Sequence, residues 1–295
     1  MEPGKKASEE AAKKGKKTQI NFGRFLEKYN RQIPKKAIKK GRSTRQKGAS
    51  MLPKKIHYIW IGGNEKPELV KNCIESWKTY LPDYEIKEWN EQNFEIDCCK
   101  YAKHAYAEKK WAFVSDYMRF WILAREGGIY FDTDVELIRP IPAEILAQEA
   151  FTGMEFGGKV SPGLVFGCMP GDKTAVYMTE RYESLEFDAV HPVTVNAILT
   201  SRLEKKGFRP EKGFQVVDKV AIYPEEYFCG YDLDVHEILT TEKTISIHHY
   251  SGSWTKKTLK KRVQALLKRI LGVEGYRKVL FLKRGVKHVI FNRKG

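Results

Sequence analysis

The sequence feature that most constrains the fold is the run from Gly127 to Glu136, GGIYFDTDVE. Two glycines end a helical pattern, three apolar residues predict a short buried strand, and Asp132 and Asp134 follow where that strand must end. Carboxylates so close repel each other unless a cation lies between them. Mg²⁺ or Mn²⁺ is the usual partner, because it takes oxygen ligands and bridges to phosphates. An isolated D-x-D also fits a simple turn, so the residues around it must decide between a turn and a metal site.

Charge is distributed unevenly along the 295 residues, which carry a net charge of +16. Residues 1–50 hold 16 Lys+Arg against 4 Asp+Glu, and residues 255–295 hold 14 against 1, which leaves residues 51–254 at −9. A nucleic-acid-binding domain carries its positive charge on the folded face. We therefore expect no specific nucleic-acid partner. We interpret residues 1–50 as a basic segment too poor in apolar residues to fold alone, either native or added for expression.

Residues 51–254 show the pattern of an α/β domain. Residues 56–61 predict an apolar strand that ends at Gly62, residues 67–80 a helix and residues 84–89 a second strand. Strand, helix and strand in this order imply a parallel βαβ unit. Further strands are expected at residues 150–154, 164–169 and 220–223. Trp60 is separated from the glycine turn by Ile61 alone, and its ring either stacks on a nucleotide base or belongs to the core.

Residues 101–126 predict one long helix that is ended by Gly127. Asp116 and Arg119 lie on one face of it, because positions three apart are neighbours. Such a pair either binds substrate hydroxyls and balances phosphate charge, or is a surface ion pair that contributes a few tenths of a kcal/mol.

The last motif of the domain is His248-His249-Tyr250-Ser251-Gly252-Ser253-Trp254. Strand alternation places the two histidines on opposite faces, so that one could reach a metal while the other packs. Beyond it, residues 255–295 predict a basic amphipathic helix. Such a helix suits an anionic membrane surface, at about 1 kcal/mol for each cation near the lipid, or packs on the domain.

Cysteine usage and hydropathy indicate the cellular compartment in which the protein is expected. The five cysteines are odd in number and lack a C-x-x-C spacing, which indicates reduced thiols in a cytosolic protein. No apolar run approaches the roughly 18 to 20 residues that span a bilayer. We therefore expect a cytoplasmic protein that associates peripherally with the inner face of the cell membrane through residues 255–295.

Four motifs together resemble family 32 glycosyltransferases, whose sugar-binding region contains a D-x-D motif. They are IHYIWIGG at 56–63, SDYMR at 115–119, GGIYFDTDVE at 127–136 and HHYSGSW at 248–254. The resemblance covers about residues 53–254. It implies a GT-A fold, a Rossmann-like mixed sheet flanked by helices, together with a nucleotide-sugar donor, a Mn²⁺ or Mg²⁺ ion and transfer with retention of anomeric configuration.

The resemblance also implies roles for individual residues. Trp60 would stack on the base, and Asp116 and Arg119 would hold the donor sugar and its phosphates. Asp132 would contact ribose and sugar, directly or through metal-bound water, and Asp134 would ligate the metal. His249 precedes Gly252 by three residues, as in other retaining GT-A enzymes, and is preferred to His248 on the metal side. Ser253 and Trp254 would close over the diphosphate.

The function expected from these features is hexose transfer from a nucleotide-sugar, with UDP-sugars favoured over GDP-mannose. The acceptor would be a lipid-linked glycan of a bacterial surface polysaccharide. Two alternatives remain open. A haloacid-dehalogenase-type phosphatase would use Asp132 as nucleophile beside Asp134, although the run from Gly171-Asp172 lacks the second acid of that family. A non-enzymatic membrane- or nucleic-acid-binding module would use only the basic ends.

Overall fold

The structure, a computed structural model, describes residues 52–232 and 237–251 together with residues 271, 272 and 275. Its main element is a mixed seven-stranded sheet in the order β2-β1-β3-β6-β5-β8-β7. The strands are β1 (Lys55–Ile59), β2 (Glu85–Trp89), β3 (Gly128–Tyr130), β5 (Ala150–Glu155), β6 (Lys159–Cys168), β7 (Gln215–Val217) and β8 (Val220–Tyr223). Two small sheets pair β4 (Val135–Leu137) with β11 (Ser246–His248) and β9 (Tyr231–Asp232) with β10 (Glu237–Ile238).

Seven α-helices lie within residues 52–232. They are α1 (Glu68–Tyr80), α2 (Lys100–Ala107), α3 (Trp111–Glu126), α4 (Ala143–Leu146), α5 (Lys173–Glu183), α6 (Val195–Glu204) and α7 (Glu225–Phe228). Short 3-10 turns occur at Ile96–Cys98 and Pro210–Lys212. The predicted α/β class, a Rossmann-like mixed sheet flanked by helices, is confirmed. The predicted boundaries at residues 50 and 254 stay predictions.

The order of β2, β1 and β3 predicts where a ligand crevice lies along the edge of the sheet. β1 is parallel to both β2 and β3, which lie on its two sides, and α1 connects β1 to β2. The predicted βαβ unit is therefore confirmed. The strand order reverses at β1, and ligands bind outside the carboxyl ends of strands at such a switch point. Trp60 follows β1 at this edge, and Asp132 follows β3.

The predicted helix over residues 101–126 is wrong in one respect, because it is two helices. α2 ends at Ala107 and α3 begins at Trp111, with Lys109 between them in the left-handed region at φ 54°. The three residues between the two helices, Glu108-Lys109-Lys110, are polar and offer no large apolar side chain that would continue the buried face of a single helix. Gly127 ends α3 with φ 63° as predicted, and a side chain there would lie 2.6 Å from Pro170 Cδ.

The core of the sheet supports the segment that follows β3. Trp77 of α1 is fully buried, stacks on Phe131 with ring centroids 5.4 Å apart and donates a hydrogen bond from Nε1 to the Val135 carbonyl at 2.8 Å. This indole therefore holds the backbone on both sides of Asp132 and Asp134. Among the described residues, no helix is both long and apolar enough to cross a membrane.

Candidate active site

Arg119 is the centre of a buried charge cluster at the carboxyl end of β3. Its Nη2 donates to Asp116 Oδ1 at 2.8 Å, and its Nη1 lies 3.2 Å from Asp132 Oδ1. The side chains of Arg119 and Asp116 are 3% and 9% exposed, so this is not the surface ion pair that the spacing also allowed. The cluster joins two of the predicted motifs, those at 115–119 and 127–136, because α3 runs directly into β3 and carries Arg119 beside Asp132.

Burial and charge set the protonation of this cluster. Burial raises the pKa of Asp116 to about 7, which the charge of Arg119 opposes and that of Asp132 reinforces. Burial lowers the pKa of Arg119, but the negative charge of Asp132 and its neighbours outweighs this effect and raises it. Arg119 therefore stays charged. Asp116 also accepts a hydrogen bond from the Val195 amide at the start of α6, which ties α6 to the site.

Two further residues that hold Asp132 were not singled out from the sequence. The Tyr130 hydroxyl donates to Asp132 Oδ1 at 2.8 Å, and the Arg119 guanidinium lies 4.7 Å from the centre of the Tyr130 ring. Gly163 of β6 accepts a hydrogen bond from the Asp132 amide at 2.9 Å, and a Cβ there would overlap Asp132 Oδ2. Tyr130 was detectable, because it precedes Asp132 by two in a strand-like run. Gly163 carries no such signal.

Asp134 forms a second polar group with residues of the final motif. His248 Nε2 lies 2.9 Å from Asp134 Oδ1, while the Ser251 amide and hydroxyl donate to Oδ2 at 2.9 and 3.0 Å. Burial acts to raise the pKa of Asp134, but His248 and Ser251 outweigh it and hold that pKa well below its usual range. Burial likewise lowers the pKa of His248, and the Asp134 charge more than reverses this. Each member of the pair therefore favours the charged form of the other.

The His249 side chain contacts Glu136 rather than the Asp134 carboxylate. Its Nε2 is 2.7 Å from Glu136 Oε2, and only its amide contacts Asp134, through the carbonyl at 2.9 Å. The expected separation of the two histidines is confirmed, but the geometry favours His248 over the preferred His249 on the Asp134 side. Asp134 lies in the turn before β4, where strand alternation does not hold, and its carboxylate reaches the histidine paired with Val135. That His249 ligates a metal stays a prediction.

Trp60 lies at the same edge of the sheet but does not join the charged groups. It is partly exposed, its Nε1 donates to the Asn64 carbonyl at 2.7 Å, and Lys66 Nζ lies 5.9 Å from its ring centre. The β1–β3 pairing ends at His57 and Tyr130, three residues before Trp60 and two before Asp132. Trp60 also packs against the hydrophobic core, as the alternative interpretation expected, and its stacking on a nucleotide base stays a prediction. Ser253 and Trp254 lie outside the described residues, as does the predicted helix of residues 255–295 except for residues 271, 272 and 275, which are helical.

The donor set at Asp134 fits a divalent cation that is shared with a phosphate ligand. Asp134 and Asp132 supply carboxylate oxygens, and His248 supplies an imidazole whose buried Nδ1 has no hydrogen-bond partner. The described residues contain no group of three His, Cys, Asp or Glu side chains arranged to hold a metal by themselves. Mg²⁺ binds in this incomplete way, through one or two carboxylates plus substrate phosphates, and imidazole also suits transition metals.

Comparison with known protein families places this site within a recognised region. Residues 67–152 match the model of the glycosyltransferase sugar-binding region containing a DXD motif. The match includes Asp116, Arg119, Asp132 and Asp134. It ends before His248 and Ser251, whose contacts with Asp134 are known from the structure alone.

Two curated proteins are similar to this chain over part of their length. "Subversion of eukaryotic traffic protein A" from Legionella pneumophila is 29% identical over 129 residues, which cover 35% of this chain and 20% of that protein. The human alpha-1,4-N-acetylglucosaminyltransferase is 26% identical over 160 residues, which cover 51% of this chain and 45% of that protein. The chain therefore spans less than half the length of either relative.

Two solved structures share part of the architecture. The PaToxG glycosyltransferase superposes with a TM-score of 0.42 at 19% identity, over 53% of this chain and 70% of that one. A glycosyltransferase involved in glycosylation of the major capsid of PBCV-1 superposes with a TM-score of 0.41 at 14% identity, over 72% and 98%. Residues 67–152 of this chain thus match a glycosyltransferase sugar-binding region, and Asp132 and Asp134 of its D-x-D motif lie within the matched residues.

Proposed function

We propose that this chain is a metal-dependent, retaining glycosyltransferase that moves a hexose from a nucleotide-sugar to a hydroxyl group of a glycan. The observation that carries the proposal is the joint placement of the Arg119–Asp132 and Asp134–His248 pairs at the carboxyl end of β3, beside the switch point at β1. A nucleotide at this crevice would lie with its base towards Trp60 and its diphosphate towards Asp134.

Charge supports the need for a cation. Asp116, Arg119 and Asp132 together carry one negative charge when all are ionised, and the Asp134–His248 pair carries no net positive charge whether or not His248 is protonated. This arrangement repels a diphosphate, since the charge of Arg119 is already balanced by the two carboxylates. A bound Mn²⁺ or Mg²⁺ would supply the missing positive charge and polarise the leaving diphosphate. Arg119 contributes the remaining electrostatic stabilisation as negative charge develops on that group.

The reaction then needs little chemistry from the protein beyond orientation. The bond between the anomeric carbon and the phosphate oxygen breaks, and the acceptor oxygen bonds to the same face of the sugar. The proton of the acceptor hydroxyl passes to the departing phosphate. Asp116 and Asp132, fixed by Arg119 and Tyr130, hold the sugar hydroxyls so that this face stays open to the acceptor.

The two alternative functions have less support. A haloacid-dehalogenase-type phosphatase needs further acids facing Asp132, but Asp172 instead accepts hydrogen bonds at 2.9 Å from the Thr174 and Ala175 amides at the start of α5. Its carboxylate therefore caps that helix. A binding module that uses only the basic ends leaves the family match at residues 67–152 without a role.

The donor and acceptor are narrower parts of the same proposal. UDP-sugars are favoured over GDP-mannose, and the name of the human relative supports including an N-acetylhexosamine donor among those tested. We propose a lipid-linked glycan of a bacterial surface polysaccharide as acceptor, at the cytoplasmic face of the membrane. This part rests on the basic sequence of residues 255–295. Full retention of binding to anionic liposomes after deletion of these residues would contradict it.

Ligand-induced stabilisation tests the catalytic proposal. The thermal unfolding midpoint is measured with UDP, GDP and their sugars, each with and without Mn²⁺, for the wild type, Asp134→Asn and the control Asp83→Asn. Asp83 is an exposed carboxylate paired with Lys54, outside the charged groups at the end of β3. A ligand at 100 times its Kd stabilises by about 2.7 kcal/mol. We expect a Mn²⁺-dependent shift in the wild type and control that Asp134→Asn abolishes. No shift with any nucleotide would refute the proposal.

A further inference from the structure

Glu155 brings a further carboxylate to the edge of the sheet that carries Asp132. It is the last residue of β5, and β5 runs parallel to β3 because both pair antiparallel with β6. The carboxyl ends of β3 and β5 therefore meet at the same edge, two strand spacings or roughly 10 Å apart. No sequence motif points to Glu155, since it lies 19 residues beyond Glu136 in an ordinary hairpin.

Residues from two other elements hold the Glu155 carboxylate in place. The Tyr250 hydroxyl donates to Glu155 Oε2 at 3.4 Å, and the Tyr250 ring lies against His248 with centroids 3.9 Å apart. Asn196 of α6 hydrogen-bonds to Glu155 and donates to Ser161 Oγ at 3.2 Å. Tyr250 adopts φ 45°, a strained conformation for a non-glycine residue. The Tyr250 side chain thus contacts both Glu155 and His248 of the Asp134–His248 pair.

The carboxylate has no ion-pair partner within residues 52–232 and 237–251. Other carboxylates of the same domain have one: Glu126 pairs with Lys55, Glu88 with Lys66 and Glu149 with Lys219. Burial raises the pKa of Glu155, against the opposing effects of Asn196 and His248. A carboxylate has about four acceptor positions, and Tyr250 and Asn196 use two. Glu155 is partly exposed, so a ligand at this edge of the sheet could use the remaining acceptor positions.

We propose that Glu155 binds hydroxyl groups of a sugar at the reaction centre, and that Tyr250 and Asn196 are its positioning residues. This inference rests on the proposed function. The ligand expected beside Glu155 is a hydrogen-bond donor rather than an anion, because Glu155 has no ion-pair partner among the described residues to balance a further negative charge. The site is thereby divided: the diphosphate lies at Arg119 and Asp134, and the polyhydroxyl part of the substrates extends towards β5.

The sugar beside Glu155 comes either from the donor or from the acceptor, and binding and turnover distinguish the two. The affinities for UDP and for UDP-glucose, UDP-galactose and UDP-N-acetylglucosamine are measured by calorimetry with Mn²⁺ for the wild type, Glu155→Gln and Glu149→Gln. UDP release from each sugar nucleotide is followed in water and with added methyl glycosides. Glu149 immediately precedes the first residue of β5, at the end of the strand opposite Glu155. It is exposed and pairs with Lys219, so Glu149→Gln is the matched control.

Glu155→Gln keeps the shape of the side chain and removes its charge, so UDP affinity and the unfolding midpoint are expected to match the control. If the donor sugar contacts Glu155, the affinity for a sugar nucleotide falls by roughly 10- to 100-fold, as expected for loss of a hydrogen bond to a charged group. If the acceptor contacts it, sugar-nucleotide affinity and hydrolysis are retained and only glycoside-stimulated UDP release falls by that factor.

Two results would overturn the assignment in distinguishable ways. If Glu155→Gln equals the control in sugar-nucleotide affinity, hydrolysis and glycoside-stimulated release, Glu155 does not bind sugar although the proposed function stands. If the wild type binds no nucleotide with Mn²⁺, the proposed function and the role of Glu155 both fall. Tyr250→Phe adds a further readout, since loss of the hydroxyl that contacts Glu155 is expected to reproduce part of the Glu155→Gln effect.

Discussion

Removing the positive charge of Arg119 should destabilise the fold strongly, because two carboxylates would lose their shared partner. Arg119→Met keeps most of the side-chain volume but leaves Asp116 and Asp132 facing each other. The Arg119 and Asp116 side chains are 3% and 9% exposed, so solvent offers little screening, whereas Asp132 is 26% exposed. The substitution removes both the 2.8 Å ion pair with Asp116 and the 3.2 Å ion pair with Asp132.

The magnitude follows from the cost of breaking a buried ion pair, which is about 3–5 kcal/mol. For a folded domain of this size, each kcal/mol lowers the unfolding midpoint by about 2–4 °C, so a loss on the order of 10 °C is expected. Asp116→Asn in the Arg119→Met background removes one of the stranded charges. The double variant should therefore be more stable than the sum of the single losses predicts, by about 1–3 kcal/mol.

Urea unfolding of the four proteins of this cycle measures the free energy of unfolding from the midpoint and slope. Arg181→Met is the control, because Arg181 is exposed on α5 and contacts only Ser184 with its guanidinium, at 3.4 Å. That control should lie within about 0.5 kcal/mol of the wild type. A loss below about 1 kcal/mol for Arg119→Met, or simple additivity in the cycle, would refute the placement of Arg119 as the shared buried counter-charge.

Two further predictions concern residues that support the site. Burial lowers the pKa of His57 to about 4, so its contribution to stability is complete above its unfolded pKa of 6.5 and is lost as pH falls towards 4. The loss of stability over this pH range is about 3 kcal/mol. Urea unfolding of His57→Gln across pH 4 to 7 should show a correspondingly weaker acid dependence than the wild type. Gly163→Ala should lower the unfolding midpoint, but less than Arg119→Met does because Arg119 keeps Asp116, and should lose the Mn²⁺-dependent UDP shift because the new Cβ displaces Asp132 from Tyr130 and Arg119. An unchanged shift would contradict this.

Much of the framework could be predicted because it depends on residues close together in the chain. The apolar run of β1, the helical spacing of α1 and the glycine that ends α3 are set by local backbone preferences and by burial of one face. Asp116 and Arg119 share a face for the same reason, and α3 leads directly into β3 and Asp132. The break between α2 and α3 was missed, because three polar residues on a helix give only a weak local signal.

The rest of the site depends on pairings between distant segments. His248 contacts Asp134 across 114 residues, and Gly163 meets Asp132 only because β6 lies beside β3. Glu155 reaches the same edge through the order β3-β6-β5. Strand alternation could separate His248 from His249, but the register of β11 on β4 and the turn at Asp134 decided which one faces the carboxylate. By itself the sequence determined the α/β framework and the D-x-D constellation, since these follow from short-range periodicity. Only the tertiary structure decided the partners of each carboxylate, because strand order and register have no local signature.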